Sequence, residues 1–146
     1  MKGGSLRIRN KWISCIIFLI ASLLSINLVK GATFISSCQT LDTAYETYYL
    51  TQDIIDSSAS TCFKITADHV TLDCQGHRID GIDASSSKGI YIYYADYVEI
   101  RNCILSDWAY SIYLYHSSSS YLENLRINSS GTGIYLTSST SISSNI

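Results

Sequence analysis

The 146-residue chain has no proline, a single methionine and three histidines. Proline has no N–H group and is confined to the edges and bulges of sheets, so its absence is compatible with strands that are paired on both sides. A soft copper site needs thioethers or clustered imidazoles, and the sequence provides neither. We therefore expect no metal site and no cofactor; the alternative is calcium bound by aspartates in turns, because hard cations need only oxygen ligands.

Basic residues are scarce beyond the first thirty positions. Five of the ten Lys and Arg residues lie within residues 1–30, whereas all twelve Asp and Glu residues lie from Asp42 onward. From residue 32 the chain therefore carries five basic and twelve acidic side chains. Because nucleic acid requires a basic surface, this distribution excludes it as an expected partner.

The N-terminal segment, residues 1–31, has the layout of a secretory signal peptide. Basic residues through Lys11 precede residues 12–29, which carry no charge, and small residues follow at Gly31 and Ala32. We predict cleavage after Gly31, with the remainder secreted or held at the extracytoplasmic surface, the periplasm included. The apolar segment approaches the roughly 20 residues that span a bilayer, so an uncleaved signal anchor is the alternative. Membrane contact is expected only through this segment.

A 22-residue repeat follows. The dipeptide Ile-Tyr occurs at residues 90–91, 112–113 and 134–135. This period is too short for a pair of helices, and the alternation of apolar and polar residues is typical of strands, so the sequence predicts a β-solenoid. We expect three to four coils of 22–27 residues over residues 62–146, with residues 32–61 as an N-terminal cap. The sequence ends partway round a coil, so we predict further coils, or a partner, at that end.

Four cysteines follow the leader, and they allow three disulfide connectivities. They are Cys38, Cys62, Cys74 and Cys103. We favour a bond between Cys38 and Cys62, because they flank the segment before the regular repeats and would tie the cap to the first coil. The alternative is that all four are small buried side chains without disulfides.

The repeat places tyrosines in columns on the outer surface. Alternate residues of a strand face opposite sides of the sheet, so Tyr91, Tyr113 and Tyr135 form one outward column, with Tyr93 and Tyr115 in the next. Lys64 occupies the first column one coil earlier and is expected to close it by a cation–π contact. Rings with hydroxyl tips suit sugars, so we predict that these five tyrosines bind carbohydrate. The alternative is that they simply cover a sheet, because tyrosine is a good strand residue.

Two polar columns are expected to stabilise the stack. Asp73, Arg101 and Glu123 share one position and predict a ladder of alternating charge. Asn102 and Asn124 share another, where a ladder of side-chain amides is expected.

Two acidic pairs are candidates for catalytic carboxylates, Asp80 with Asp83 and Asp96 with Glu99. Each lies in or near a turn, where acids are ordinary, so we predict no catalytic residue in this segment. Asn128 begins the motif Asn-Ser-Ser and is predicted to be an N-glycosylation acceptor on an external turn.

Residues 62–81, CFKITADHVTLDCQGHRIDG, and residues 98–103, VEIRNC, resemble right-handed parallel β-helix proteins, in particular the NosD-like and pectin-lyase-like group. The resemblance implies an all-β, right-handed parallel β-helix. Members include polysaccharide lyases, epimerases, glycosidases, surface-layer segments and periplasmic proteins of copper-site maturation, so the fold does not select a function. Our leading hypothesis is a secreted or cell-surface module that is structural or binds polysaccharide. The alternatives are the N-terminal part of a carbohydrate-active enzyme and, third, a copper-maturation accessory protein.

Overall fold

A computed structural model of the chain describes residues 31–140 and 142–145. These residues form fourteen β-strands, and they contain no helix long and apolar enough to cross a membrane. The strands are β1 (Gly31–Ile35), β2 (Gln39–Leu41), β3 (Glu46–Leu50), β4 (Thr61–Ile65), β5 (Thr71–Asp73), β6 (Arg78–Asp80), β7 (Lys88–Tyr93), β8 (Glu99–Arg101), β9 (Ile104–Ser106), β10 (Tyr110–Tyr115), β11 (Tyr121–Glu123), β12 (Arg126–Asn128), β13 (Thr132–Thr137) and β14 (Ser143–Asn145). The predicted signal segment lies outside the described residues, except for Gly31 at the start of β1.

The strands form three parallel sheets that the chain visits in turn. Sheet A has the order β1-β3-β5-β8-β11-β14, sheet B has β13-β10-β7-β4-β2, and sheet C has β12-β9-β6. From β4 to β12 the chain passes from sheet B to sheet A to sheet C three times, whereas β2 and β3 before them, and β13 and β14 after them, belong only to sheets B and A. The predicted all-β parallel β-helix is therefore confirmed.

The segment predicted as a cap lies in register with the coils. Gln39 is paired with Phe63 in sheet B, and Tyr48 is paired with Leu72 in sheet A. Ile54 forms a bridge to Ile79 in sheet C. Residues 38–60 therefore form coil 1, before coils 2 to 5, which begin at β4, β7, β10 and β13. A search at the 22-residue period misses coil 1, because its paired positions are slightly farther apart in sequence than that period.

Coil 2 is longer than its neighbours. Its Phe63 is paired with Ile90 of coil 3, whereas the later pairs, Ile90 with Ile112 and Ile112 with Ile134, keep the 22-residue period. The connection from β6 to β7 is residues 81–87, whereas only residues 107–109 join β9 to β10. The polar insertion therefore leaves the sheet register intact on both sides.

The interior is filled by apolar side chains from the same position of successive coils. In coils 2 to 4 the interior residues of sheets A and B are fully buried, and each contributes about 1.5–3 kcal/mol of transfer free energy. In sheet C, Ile79 and Leu105 are fully buried and Ile127 is partly buried. Trp108 is also fully buried, and its indole N–H donates to the Ile79 carbonyl at 3.0 Å. A Cβ at Gly81 would collide with the Asp107 carbonyl oxygen, so only glycine fits beside this indole.

Two disulfides connect the first three coils. One joins Cys38 to Cys62, the pair that the sequence favours, and links coil 1 to coil 2. The other joins Cys74 to Cys103 and links coil 2 to coil 3. In coil 4, the position that corresponds to Cys103 carries the buried Leu125.

Candidate functional site

The outer surface of sheet B carries six tyrosines from three consecutive coils. Register pairs Tyr91 with Tyr113 and Tyr113 with Tyr135, and it pairs Tyr93 with Tyr115. Tyr110 lies beside Lys88 in a third column. We call this surface the tyrosine face, and it consists of Tyr91, Tyr93, Tyr110, Tyr113, Tyr115 and Tyr135. The structure thus brings together all five tyrosines that the sequence predicts and adds Tyr110.

Rings on adjacent coils contact one another. The centroids of Tyr113 and Tyr135 are 5.0 Å apart with 26° between the planes, and those of Tyr93 and Tyr115 are 5.7 Å apart at 13°. Tyr91 meets Tyr113 edge to face at 5.2 Å and 77°. Stacked rings cover part of each other's faces, so the surface offers hydroxyl groups and ring edges together with the faces that remain open. A flat platform of ring faces alone is therefore too simple a description.

Two lysines lie among the rings. The Lys64 ammonium is 4.7 Å from the centroid of Tyr93, although its register partner is Tyr91. The expected cation–π contact is therefore present, but it forms with the neighbouring column. The Lys88 ammonium lies 5.4 Å from Tyr113, 5.5 Å from Tyr91 and 6.0 Å from Tyr110. The sequence does not predict Lys88 at this surface, because it places this residue at the end of a polar loop.

Aromatic stacking continues round the corner between sheets B and A. His116 stacks on Tyr94 at 4.8 Å, and His69 lies between Tyr45 and Tyr97 at 4.5 and 4.6 Å. The 22-residue spacing from Tyr94 to His116 was available as a signal. The spacings from Tyr45 to His69 and on to Tyr97 differ from 22, so a search at that period overlooks this stack.

The environment raises the pKa of two phenols of this region, Tyr91 and Tyr94. The pKa of Tyr91 is raised, mainly by burial and to a smaller extent by the neighbouring Tyr93 and Tyr113. Desolvation, then a hydrogen bond with Tyr115, raise the pKa of Tyr94. Since these pKa values lie above the ordinary value near 10, both groups are neutral at physiological pH and offer hydroxyl groups for hydrogen bonding.

The outer surface of sheet A has a different chemistry. Arg101 donates from Nε to Asp73 and from Nη1 to Glu99, both at 2.9 Å. The pairing with Asp73 agrees with the expected ladder, but the second acid is Glu99, on the same strand as Arg101, in place of Glu123. The reason is that Glu99 and Arg101 point to the same side of β8.

An amide ladder extends this network. Asn124 donates to the Asn102 side-chain oxygen at 2.8 Å, and Asn102 donates to Asp73 at 3.0 Å. Burial acts to raise the pKa of Asp73, but hydrogen bonds from Asn102, from the Gln75 backbone and from Arg101 outweigh it and hold that pKa below its ordinary value. The buried Asp73 carboxylate is therefore stabilised in its charged form. We call Asp73, Glu99, Arg101, Asn102 and Asn124 the polar network.

Three of the four acids considered for catalysis take part in structural hydrogen bonds, whereas Asp83 is exposed in the connection between β6 and β7. Asp96 accepts from both the backbone N–H and the hydroxyl of Ser118, at 2.7 and 2.8 Å. The buried Asp80 accepts from the Ser106 hydroxyl and from the backbone of Asp56. Glu99 is paired with Arg101, as described above.

Asp107 is an acid for which the sequence pattern gives no signal. Desolvation, then the charges of Asp80 and Asp83, raise its pKa. Within residues 31–140 and 142–145, no three His, Cys, Asp or Glu side chains form a group that could hold a metal ion.

Asn128 is exposed at the end of β12, and the turn predicted for it begins at the next residue. The hydroxyl of Ser130, the third residue of the motif, donates to the Asn128 carbonyl oxygen at 3.2 Å and accepts from Ser111 at 2.7 Å. Glycosylation of Asn128 stays a prediction.

The family model described as "Right handed beta helix region" matches residues 50–146, about two thirds of the chain. The chain belongs to this family. The β-helix is therefore right-handed, as the sequence resemblance implied. Neither the curated proteins nor the solved structures contain a significant match to the chain.

Proposed function

We propose that the chain is an extracytoplasmic β-helix module that binds polysaccharide along its tyrosine face. The observation that carries the proposal is the array of six tyrosines on one sheet, five of which are in register over three coils. Coils of a parallel sheet repeat about every 4.8 Å. Such a linear array suits an extended polymer better than a compact ligand.

The chemistry of the face also suits sugars. Phenol hydroxyls donate and accept hydrogen bonds, and ring surfaces pack against the C–H faces of sugars. Tyr135 keeps 42% of its surface exposed, so its ring remains available in spite of the contact with Tyr113. Lys64 and Lys88 add cationic donors to a chain that is otherwise acidic from residue 32 onward.

An extracytoplasmic location is part of the same proposal. The leader predicted over residues 1–31 supports it, and the two disulfides in the described coils favour an oxidising compartment. A purely structural role for the tyrosines is the competing explanation, because their stacking also fills the surface of the sheet.

Retention on a panel of polysaccharides tests the proposal. The panel contains insoluble cellulose and chitin and immobilised xylan and polygalacturonate, and the wild-type chain is compared with Tyr91→Ala/Tyr113→Ala. We expect retention of the wild type on at least one probe and loss of that retention in the double variant. The matched control, Tyr45→Ala/Tyr97→Ala, removes two exposed tyrosines away from sheet B and should be retained. Equal retention of both double variants would contradict the proposal.

A second function, as part of a carbohydrate-active enzyme, has one observation in its favour. Desolvation and then the charges of Asp80 and Asp83 raise the pKa of Asp107, and a raised pKa is one property that a general acid needs. Release of new reducing or unsaturated chain ends from these polysaccharides, abolished by Asp107→Asn, would support an enzyme. We rank it second because Asp80 already accepts hydrogen bonds from the Ser106 hydroxyl and the Asp56 backbone N–H.

A further inference from the structure

Tyrosine is the exposed side chain most open to one-electron oxidation in the described part of the chain. All four cysteines from residue 31 onward are in disulfides, and Trp108 is fully buried. The single methionine is Met1, at the start of the leader. Thiols, thioethers and indoles are therefore not exposed competitors within residues 31–140.

The cross-links already present stop at coil 3. The disulfides join coil 1 to coil 2 and coil 2 to coil 3, and no cysteine follows Cys103. From coil 3 onward, tyrosines of adjacent coils contact each other. Tyr93 stacks on Tyr115 between coils 3 and 4, and Tyr113 stacks on Tyr135 between coils 4 and 5. The tyrosine contacts therefore begin where the disulfides end.

We propose that the tyrosine face is a site of oxidative cross-linking, at which dityrosine bonds join coils 3, 4 and 5. The pair of Tyr113 and Tyr135 is the leading site, because its centroids are 5.0 Å apart in a nearly parallel arrangement. Strand pairing holds the two residues opposite each other, so coupling requires rotation of side chains and no movement of the coils. This modification is independent of polysaccharide binding.

The chemistry requires an external oxidant, a peroxide used by a haem peroxidase. Each phenol loses one electron and one proton to give a phenoxyl radical. The two radicals join through a carbon–carbon bond between ring positions ortho to the hydroxyls, and the two hydrogens on those carbons move to the oxygens. Two electrons and two protons leave the pair, and they reduce one hydrogen peroxide to two water molecules.

The trypsin cleavage sites make the product readable. Cleavage after Lys88, Arg101 and Arg126 separates residues 89–101, 102–126 and 127–146. Tyr93 is in the first of these peptides, Tyr113 and Tyr115 are in the second, and Tyr135 is in the third. A bond between coils therefore joins two different peptides, with a total mass lower by two hydrogens.

The experiment treats dilute, disulfide-intact protein with peroxidase and hydrogen peroxide. We expect dityrosine fluorescence in monomeric protein and, after reduction and digestion, a linked pair of residues 102–126 and 127–146. Tyr135→Phe should abolish this linked pair. Tyr121→Phe, which removes an exposed tyrosine on sheet A from the same middle peptide, should leave it intact.

Three results would overturn the proposal. They are covalent dimers as the only cross-linked product, oxidised tyrosines without linked peptides, and a linked pair of residues 102–126 and 127–146 that persists in Tyr135→Phe. Circular dichroism of each variant before oxidation confirms that the variants are folded, so that a lost cross-link is assigned to the missing phenol.

Discussion

The outer surfaces of sheets A and B are built from the same coils but differ in their main contacts. On sheet A, the polar network fixes Arg101 between two acids and Asn102 between Asp73 and Asn124. On sheet B, the tyrosine face leaves hydroxyls and ring edges open to solvent. Polar groups whose hydrogen bonds are made within the protein stabilise the fold. Groups that keep hydrogen-bond donors or acceptors exposed remain available for a ligand. We therefore assign cohesion of the coils to sheet A and external contact to sheet B.

The disulfide next to the polar network should have the largest effect on stability. Cys74 directly follows Asp73, and its bond to Cys103 closes a loop with a sequence separation of 29. Loop-closure entropy predicts that Cys74→Ala/Cys103→Ala lowers the free energy of unfolding by about 3–4 kcal/mol. Urea denaturation at pH 7 measures this loss. If this variant loses less free energy of unfolding than Arg101→Met, the disulfide is not the main stabilising element.

Removal of the guanidinium should have the next largest effect. Arg101→Met leaves Asp73 and Glu99 without their cation, and the Asp73 side chain is only 11% exposed. An unpaired, mostly buried carboxylate costs about 2 kcal/mol, which urea denaturation would detect. Arg126→Met, at an exposed position of β12, is the matched control and should stay within about 0.5 kcal/mol of wild type. Equal losses in the two variants would show that the pairing of Arg101 with Asp73 and Glu99 adds no stability.

Acid should weaken the same network. The folded-state pKa of Asp73 lies below its unfolded value, so its contribution is present above that value and is lost as pH falls through the folded pKa. Asp53 has a lowered pKa for a different reason, a hydrogen bond from the Arg78 backbone and then one from His77, and it supplies a second part of the loss. Between about pH 5 and pH 2 the wild type should lose stability, and Asp73→Asn should lose less over the same range. Parallel curves for the two proteins would contradict the role of Asp73.

The amide ladder permits a graded comparison. Asn102→Ala removes hydrogen bonds to both Asp73 and Asn124, and it places alanine at a positive φ of 55°. We expect a loss of about 1–2 kcal/mol in thermal or urea unfolding. Asn124→Ala removes only its bond to Asn102, although its φ is also positive at 49°, so its effect should be smaller. A larger loss of stability in Asn124→Ala than in Asn102→Ala would show that the hydrogen bond from Asn102 to Asp73 does not stabilise the network.

The tyrosine face should contribute least to stability. Tyr113→Phe retains the ring contacts with Tyr91 and Tyr135 and removes only a hydroxyl, so the free energy of unfolding should change by less than about 0.5 kcal/mol. Tyr113→Ala removes those contacts and should cost about 1 kcal/mol. A loss as large as that of Arg101→Met would show that the tyrosines hold the coils together.

Much of this arrangement could be predicted from the sequence. A constant spacing separates Ile90, Ile112 and Ile134. This period predicts which residues form the interior columns and places the five tyrosines on the outer side of the same strands. A search at this period misses coil 1, because Gln39 and its partner Phe63 are separated by a longer stretch of chain. A fixed 22-residue period therefore does not align the residues of coil 1 with their partners in coil 2, although the strands are paired in register.

Contacts within the surface were harder to predict. A period identifies which residues share a column, but side-chain rotation decides which neighbour each one reaches. Lys64 therefore contacts Tyr93 in the adjacent column, and Arg101 reaches Glu99 on its own strand. Lys88 reaches the tyrosines because β7 begins at this residue, and the composition of the polar loop does not show where the strand begins.

The most direct test of the division between the two surfaces measures binding and unfolding of the same variants. Affinity electrophoresis uses a soluble polysaccharide that retards the wild type, at a temperature where urea curves show every variant folded. We predict that Tyr91→Ala/Tyr113→Ala loses retardation while it keeps most of its stability, and that Arg101→Met is retarded like wild type although it is less stable. Retardation that follows stability in both variants, or no retardation of the wild type by any polysaccharide tested, would contradict the account.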